Sequence, residues 1–196
     1  TIMKTYFVFI VCLFFVFTKQ LLAQQKSNYQ WVIVPQFNIL NGQQITSTSI
    51  HLNTGIANNK NQYTIGVGID YYVYRTVPII AEYKHFIGNK KNKPFVYAGL
   101  GYNVAWLFDS QKKQTWNWGS PSTFADYSNG FTYQFGIGYA VLIKNKKGVL
   151  FNLGFSNKSL TENTSSWVFN GTNSVLMPSS KKFDLNRLAI GIAYIL

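Results

Sequence analysis

The sequence predicts an all-β protein, an eight-stranded antiparallel up-and-down transmembrane β-barrel, and three observations predict it. Alternation with period two recurs along the chain. No stretch after Gln24 keeps a helical period. The less apolar face of the alternating segments is built from small and neutral residues rather than charged ones. Period two sends successive side chains to opposite faces of a strand, so the chemistry of each face says what it meets.

The clearest strand runs over 129–143. Phe131, Tyr133, Phe135, Ile137, Tyr139, Val141 and Ile143 take one face, and Thr132, Gln134, Gly136, Gly138 and Ala140 the other. The segment 61–74 repeats the pattern, with Tyr63, Ile65, Val67 and Ile69 against Thr64, Gly66, Gly68 and Asp70. Over 94–106, Val96, Leu100, Tyr102, Val104 and Trp106 oppose Tyr97, Gly99, Gly101 and Asn103. Further strands are expected at 29–40, 43–56, 78–88, 147–158 and 184–196. Asn41-Gly42 is a tight-hairpin signal, while 58–61, 88–93 and 144–148 read as short polar turns. Two connections are much longer, 107–128 and 159–183.

A soluble barrel would turn its less apolar face to water and arm it with Lys, Glu, Asp and Arg. Here that face is Gly, Ala, Thr, Asn and Gln, which suits the crowded interior of a narrow barrel. The bulky residues then face outward, and the medium that accepts them is lipid. Closure follows from the same medium, because lipid offers nothing to an open sheet edge. With the N-terminus on the periplasmic side, the two long connections lie outside the cell and the short lysine-bearing turns lie inside. Outer-membrane barrels share that asymmetry.

The N-terminus sets the expected compartment. Lys4 precedes the apolar run Tyr6–Phe17, and Leu21-Leu-Ala23 offers a small residue before Gln24. This layout predicts a signal peptide at 1–23 and an outer-membrane barrel domain at 24–196. The run is about 12 residues, short of the ~20 a spanning helix needs. The single cysteine, Cys12, falls inside it, so the expected mature chain has neither disulfide nor cysteine metal site.

Composition agrees. Hydrophobic residues make up 47% and aromatic residues 17%, against 12% charged, where soluble domains carry about 25%. The formal net charge of +12 raises the possibility of a nucleic-acid partner, but the lysines sit in turns rather than along one recognition element. A basic rim beside anionic lipid headgroups is the expectation, with no nucleic-acid partner.

The last strand brings the reading to a family. Leu188, Ile190, Ile192, Tyr194 and Leu196 alternate with Ala189, Gly191, Ala193 and Ile195 to the final residue. This resembles the terminal signal by which the barrel assembly machinery recognises outer-membrane proteins; Tyr194 and Leu196 are its candidate residues, although Leu196 stands where Phe is usual. The stretches Tyr63-Thr-Ile-Gly-Val-Gly-Ile-Asp-Tyr-Tyr and Pro94-Phe-Val-Tyr-Ala-Gly-Leu-Gly-Tyr resemble the outer-membrane β-barrel family labelled "porin family", similar in build to OmpA- and OmpX-type barrels. The resemblance implies a Gram-negative outer-membrane location and contact with membrane lipids and lipopolysaccharide. It implies no catalytic signature.

Candidate sites follow. Asp70, Glu82, Lys84 and Arg187 fall on the inward set and are expected to pair in a structural network, the alternative being a gate or narrow ion path. In the long connections Lys112, Lys113, Trp116, Trp118 and Trp167, with Phe124, Tyr127, Phe169, Lys181 and Lys182, are recognition candidates for glycan, lipopolysaccharide phosphate or an extracellular protein. Their alternative is an aromatic girdle at the lipid interface, which Trp31 and Trp106 are expected to form. His51, with Ser47 and Ser49 on its face, and His85 show no catalytic constellation and no third metal ligand. The chain is therefore expected to be no enzyme and to carry no cofactor. Its expected role is structural or adhesion-type surface recognition with a plugged lumen. A small solute channel is the alternative, and a lipid-modifying enzyme is less favoured.

Overall fold

The computed structural model describes residues 29–196 except 44, 108–113, 118–119, 144–146 and 170–172; the expected signal segment 1–23 lies outside the described residues. The strands in chain order are β1 (Gln30–Gly42), β2 (Thr46–Ala57), β3 (Asn61–Asp70), β4 (Thr76–Phe86) and β5 (Asn92–Ala105). There follow β6 (Gln114–Asn117), β7 (Ser120–Ser128), β8 (Gly130–Leu142), β9 (Gly148–Phe169) and β10 (Ser174–Ile195). Every pairing is antiparallel, and β10 bonds to both β9 and β1, which closes an eight-stranded barrel in the order β10-β1-β2-β3-β4-β5-β8-β9. No sheet edge remains around its wall.

The wall has the expected polarity. Phe135, Tyr139 and Ile192 point outward with 52%, 48% and 46% of their surface exposed, whereas Ala193 is buried in the lumen. Leu100, Ile137, Leu153 and Ile190 are exposed too, so the apolar cladding runs round the cylinder. Strands of 10 to 14 residues, tilted by about 40°, rise roughly 25–35 Å. Trp31 lies near one end of this wall and Trp106 near the other, both exposed, and the Arg75 guanidinium stacks 3.9 Å from the Trp106 ring.

The inward glycines answer to inward aromatics. Phe95 and Tyr97 of β5 project across the lumen. A Cβ on Gly138 would collide with the Phe95 ring, and one on Gly154 with the Tyr97 hydroxyl. The glycine pairs of the alternating strands therefore make room for large rings inside the barrel.

The strands depart from the sequence expectation at one end. The third strand stops at Asp70 rather than 74, because Val73 takes a left-handed φ of 57° in the β3–β4 turn. The described residues of the segments 107–128 and 159–183, read above as loops, are largely extended. β9 and β10 stay paired from Gly148↔Ile195 to Phe169↔Ser174, and β7 adds to β9 from Ser128↔Thr161 to Phe124↔Ser165. A projecting sheet of β6, β7 and the outer halves of β9 and β10 thus replaces free loops. Backbone groups that leave the barrel still need partners, and continued pairing supplies them.

Candidate functional site

The lumen is layered. At the short-turn end an apolar layer of Val32, Val34, Phe86, Phe95, Leu150 and Ile195 packs inside it, with Phe86 and Phe95 ring centroids 5.5 Å apart. Below Phe86, the Lys93 ammonium sits 5.1 Å from the ring and donates to the Asn59 carbonyl at 2.5 Å.

Above this layer lies a polar belt. Lys84 pairs with Glu82 two residues away on β4, and the Gln134 amide donates to the other Glu82 oxygen at 2.8 Å. Gln36 donates to Asn38 at 2.8 Å and Asn38 to the Ser49 hydroxyl at 3.1 Å. His51 Nε2 lies 3.1 Å from that same hydroxyl, all four residues being buried.

The third layer carries the ionic cluster. Asp70, at the end of β3, pairs with Arg187 of β10 and with Lys158 of β9, the latter at 3.2 Å. Arg187 also donates to Ser156 at 3.1 Å and stacks on Tyr72. The Lys158 ammonium, fully buried, donates to the Tyr72 and Tyr74 carbonyls at 2.8 Å each. A lysine reaching across the barrel thus ties down the turn that holds the left-handed Val73, and Asp70 caps the same turn by accepting from the Tyr72 amide at 2.8 Å. Among the described residues four buried cations face two carboxylates in the lumen, Lys84, Lys93, Lys158 and Arg187 against Asp70 and Glu82. Backbone carbonyls supply the remaining acceptors. The void between the belt and the cluster measures about 10 Å³, at the lower limit for a single water.

The structure thus places Asp70, Glu82, Lys84 and Arg187 inside the lumen, in two clusters rather than one. Lys158 completes one of them and was missed, because its strand was expected to end at that residue. Its parity with Asn152 and Ser156 was the available signal. Among the described residues no group of three His, Cys, Asp or Glu is arranged to hold a metal.

At the mouth, Tyr74 stacks on Tyr127 at 4.8 Å and on Phe183 at 6.0 Å, joining the turn, β7 and β10. The Tyr127 hydroxyl donates to Glu162 at 2.6 Å, and burial beside that carboxylate pushes its pKa upward. Ser159 donates to Asp184 at 2.5 Å and, with Lys182 3.5 Å away, holds that exposed carboxyl below its usual range. These contacts weld the projecting sheet to the barrel. Its β10 edge carries Pro178, Lys181 and Lys182, and its other edge is the four-residue β6; both devices discourage pairing with another chain. Of the recognition candidates, Trp116 lies on β6 and Trp167 on β9 opposite Leu176. Lys112, Lys113 and Trp118 lie outside the described residues. Tyr194 and Leu196 point outward from β10, and the Leu196 amide donates to the Ile33 carbonyl at 2.9 Å across the closing seam. His85 faces outward between Tyr83 and Asn61, 2.8 Å from the Asn61 side-chain oxygen.

Barrel and lumen together define a narrow closed β-barrel with an apolar exterior and an ion-paired interior. No family model matches the chain, and no curated protein matches it. Among solved structures it is similar to the outer membrane protein OprG from Pseudomonas aeruginosa, with 12% identity and a TM-score of 0.47 over 88% of this chain and 97% of that one. It is also similar to the N-terminal β-barrel domain of Pseudomonas aeruginosa OprF, with 9% identity and a TM-score of 0.44 over 86% and 100%. The outer membrane protein AlkL, determined in DMPC lipid bilayers, gives 13% identity and 0.45 over 88% and 93%.

Proposed function

We propose that the chain is an integral outer-membrane β-barrel that presents a rigid, projecting sheet for recognition of an extracellular protein or glycan, its lumen serving as a sealed support. The observation that carries this reading is the continuity of β9 and β10. Their inner halves bear Lys158 and Arg187 of the buried network, and their outer halves form the projection. Function tends to reside on segments held by a rigid scaffold, and here the scaffold runs into the segment without a hinge. Because both edges of the sheet are guarded, its faces are the recognition surfaces.

The test has two arms. Purified protein in planar bilayers gives no discrete conductance steps, and binding to cell-surface material disappears when 159–182 is replaced by a tight turn while the barrel stays folded. Steps altered by Asp70→Asn or Glu82→Gln would establish the channel reading instead, which the cation excess of the lumen favours for anions. The Ser49–His51 contact lies in the filled lumen beside Asn38, away from any substrate-sized space, and the proposal assigns it no reaction. Lipid A altered on overexpression in a His51-dependent way would contradict that.

A further inference from the structure

The outer wall is not uniformly convex. On the short-turn half of the barrel a furrow of about 600 Å³ opens on the exterior, within the roughly 300–1,000 Å³ typical of small-molecule clefts. Two outward alanines make it. Ala81 of β4 sits between Ile65 and Leu100, and Ala98 of β5 sits beside Tyr83, which in turn pairs with Tyr63. Where every neighbouring outward position carries a large side chain, these two leave the backbone low. Trp31 borders the furrow on the β1 side.

The end of the furrow nearest the turns is polar. Tyr63 and Tyr83 have ring centroids 5.0 Å apart, and the Tyr83 hydroxyl donates to Asn61 at 3.0 Å. Lys60 follows directly in the turn, its carbonyl accepting from the Phe86 amide at 2.7 Å, so it stands beside His85. Lys90 and Lys91 occupy the next turn and are exposed, as is Lys147 in the third. None of the six Asp and Glu residues falls in these turns; they stand at 70, 82, 109, 126, 162 and 184. The rim is therefore basic without internal neutralisation.

We infer that the furrow and its rim form a binding site for an anionic phospholipid, with an acyl chain lying along Ala81 and Ala98 and the phosphate held by Lys60 and its neighbouring lysines. The inference rests on the membrane reading proposed above and deepens it. The furrow is continuous with the apolar belt, so hydrocarbon is what covers it in a bilayer. Tyrosine hydroxyls at its mouth match the depth of the glycerol esters. The acid-free rim selects charge: each basic residue near a membrane surface favours an anionic headgroup by about fivefold.

Trp31 reports on the site. The protein is folded into phosphatidylcholine vesicles holding a minor fraction of phosphatidylglycerol, with brominated acyl chains placed on one lipid or the other at equal fraction. The Trp31 signal is the difference between wild type and Trp31→Phe. Brominated phosphatidylglycerol is expected to quench it about fivefold more effectively than brominated phosphatidylcholine. Ala98→Phe, which fills the furrow from outside, and Lys60→Gln, which removes the nearest charge, should each bring the two curves together, while Lys60→Arg keeps them apart. Heat-modifiable gel mobility confirms that each variant is folded. Equal quenching by the two lipids in the wild type overturns the site and leaves membrane residence intact, as does selectivity that survives both Ala98→Phe and Lys60→Gln. Exclusion of both lipids together with cross-linking between copies overturns it in favour of a dimer contact. In vesicles made wholly of brominated lipid, failure to quench Trp31 without such cross-linking overturns the membrane reading itself.

Discussion

The two ends of the barrel solve one problem by different means. At the short-turn end Phe86, Phe95, Leu150 and Ile195 pack inside the lumen, and the rim outside is basic. At the other end Asp70, Lys158 and Arg187 cross-brace three strands and pin the β3–β4 turn, and a sheet projects from the mouth. Apolar packing is indifferent to direction, so it fills a space without fixing what lies beyond. An ion network with carbonyl acceptors is directional, and it fixes one register of β9 and β10 against β3. The end that must hold a projection in place uses the directional device.

The comparison breaks most visibly at Asp70. Asp70→Ala leaves Arg187 and Lys158 buried without a carboxylate, and the expected loss is about 3–5 kcal/mol in urea unfolding measured in lipid or detergent. Replacing Arg187 by Met in the same chain should recover part of that loss, since one stranded cation is removed. At the opposite end Phe95→Ala opens a cavity against Gly138 and Phe86, with an expected cost of about 3 kcal/mol. The difference between the two lies in the order of the projecting sheet. Proteolysis between 159 and 182 should accelerate in Asp70→Ala and stay unchanged in Phe95→Ala at matched stability. The smallest effect belongs to the turn itself. Val73 is β-branched in the left-handed region, and Val73→Asn should raise stability by about 1 kcal/mol as that strain is relieved. A loss on Val73→Asn would mean that Val73 packing against Tyr72 and Leu185 outweighs its backbone strain.

What the sequence makes legible follows from the membrane-facing wall. Phe135, Tyr139 and Ile192 could be assigned outward because a lipid-facing strand repeats one unmistakable chemistry every second residue. The lumen charges were legible by parity alone, since Asp70 continues the inward set of Thr64, Gly66 and Gly68, and Glu82 and Lys84 alternate with outward Ala81 and Tyr83. Their partition was not, because partners such as Asp70 and Lys158 are 88 residues apart and only closure brings them together. The projecting sheet was illegible for a related reason. The segment Thr161–Ser166 is Thr, Ser and Asn with Glu162, polar on both faces, and a strand polar on each side has no apolar alternation to betray it. Lys158 fell at the boundary between those two regimes.

The central claim is that the cladding of the barrel faces hydrocarbon, and Leu100 tests it most directly. Leu100 points outward from the middle of β5 with 61% of its surface exposed. Reversible unfolding of Leu100→Arg from lipid vesicles should show a loss of about 2–4 kcal/mol, the cost of a cation near a bilayer midplane. A change within about 0.5 kcal/mol, as at a water-facing position, would contradict the account.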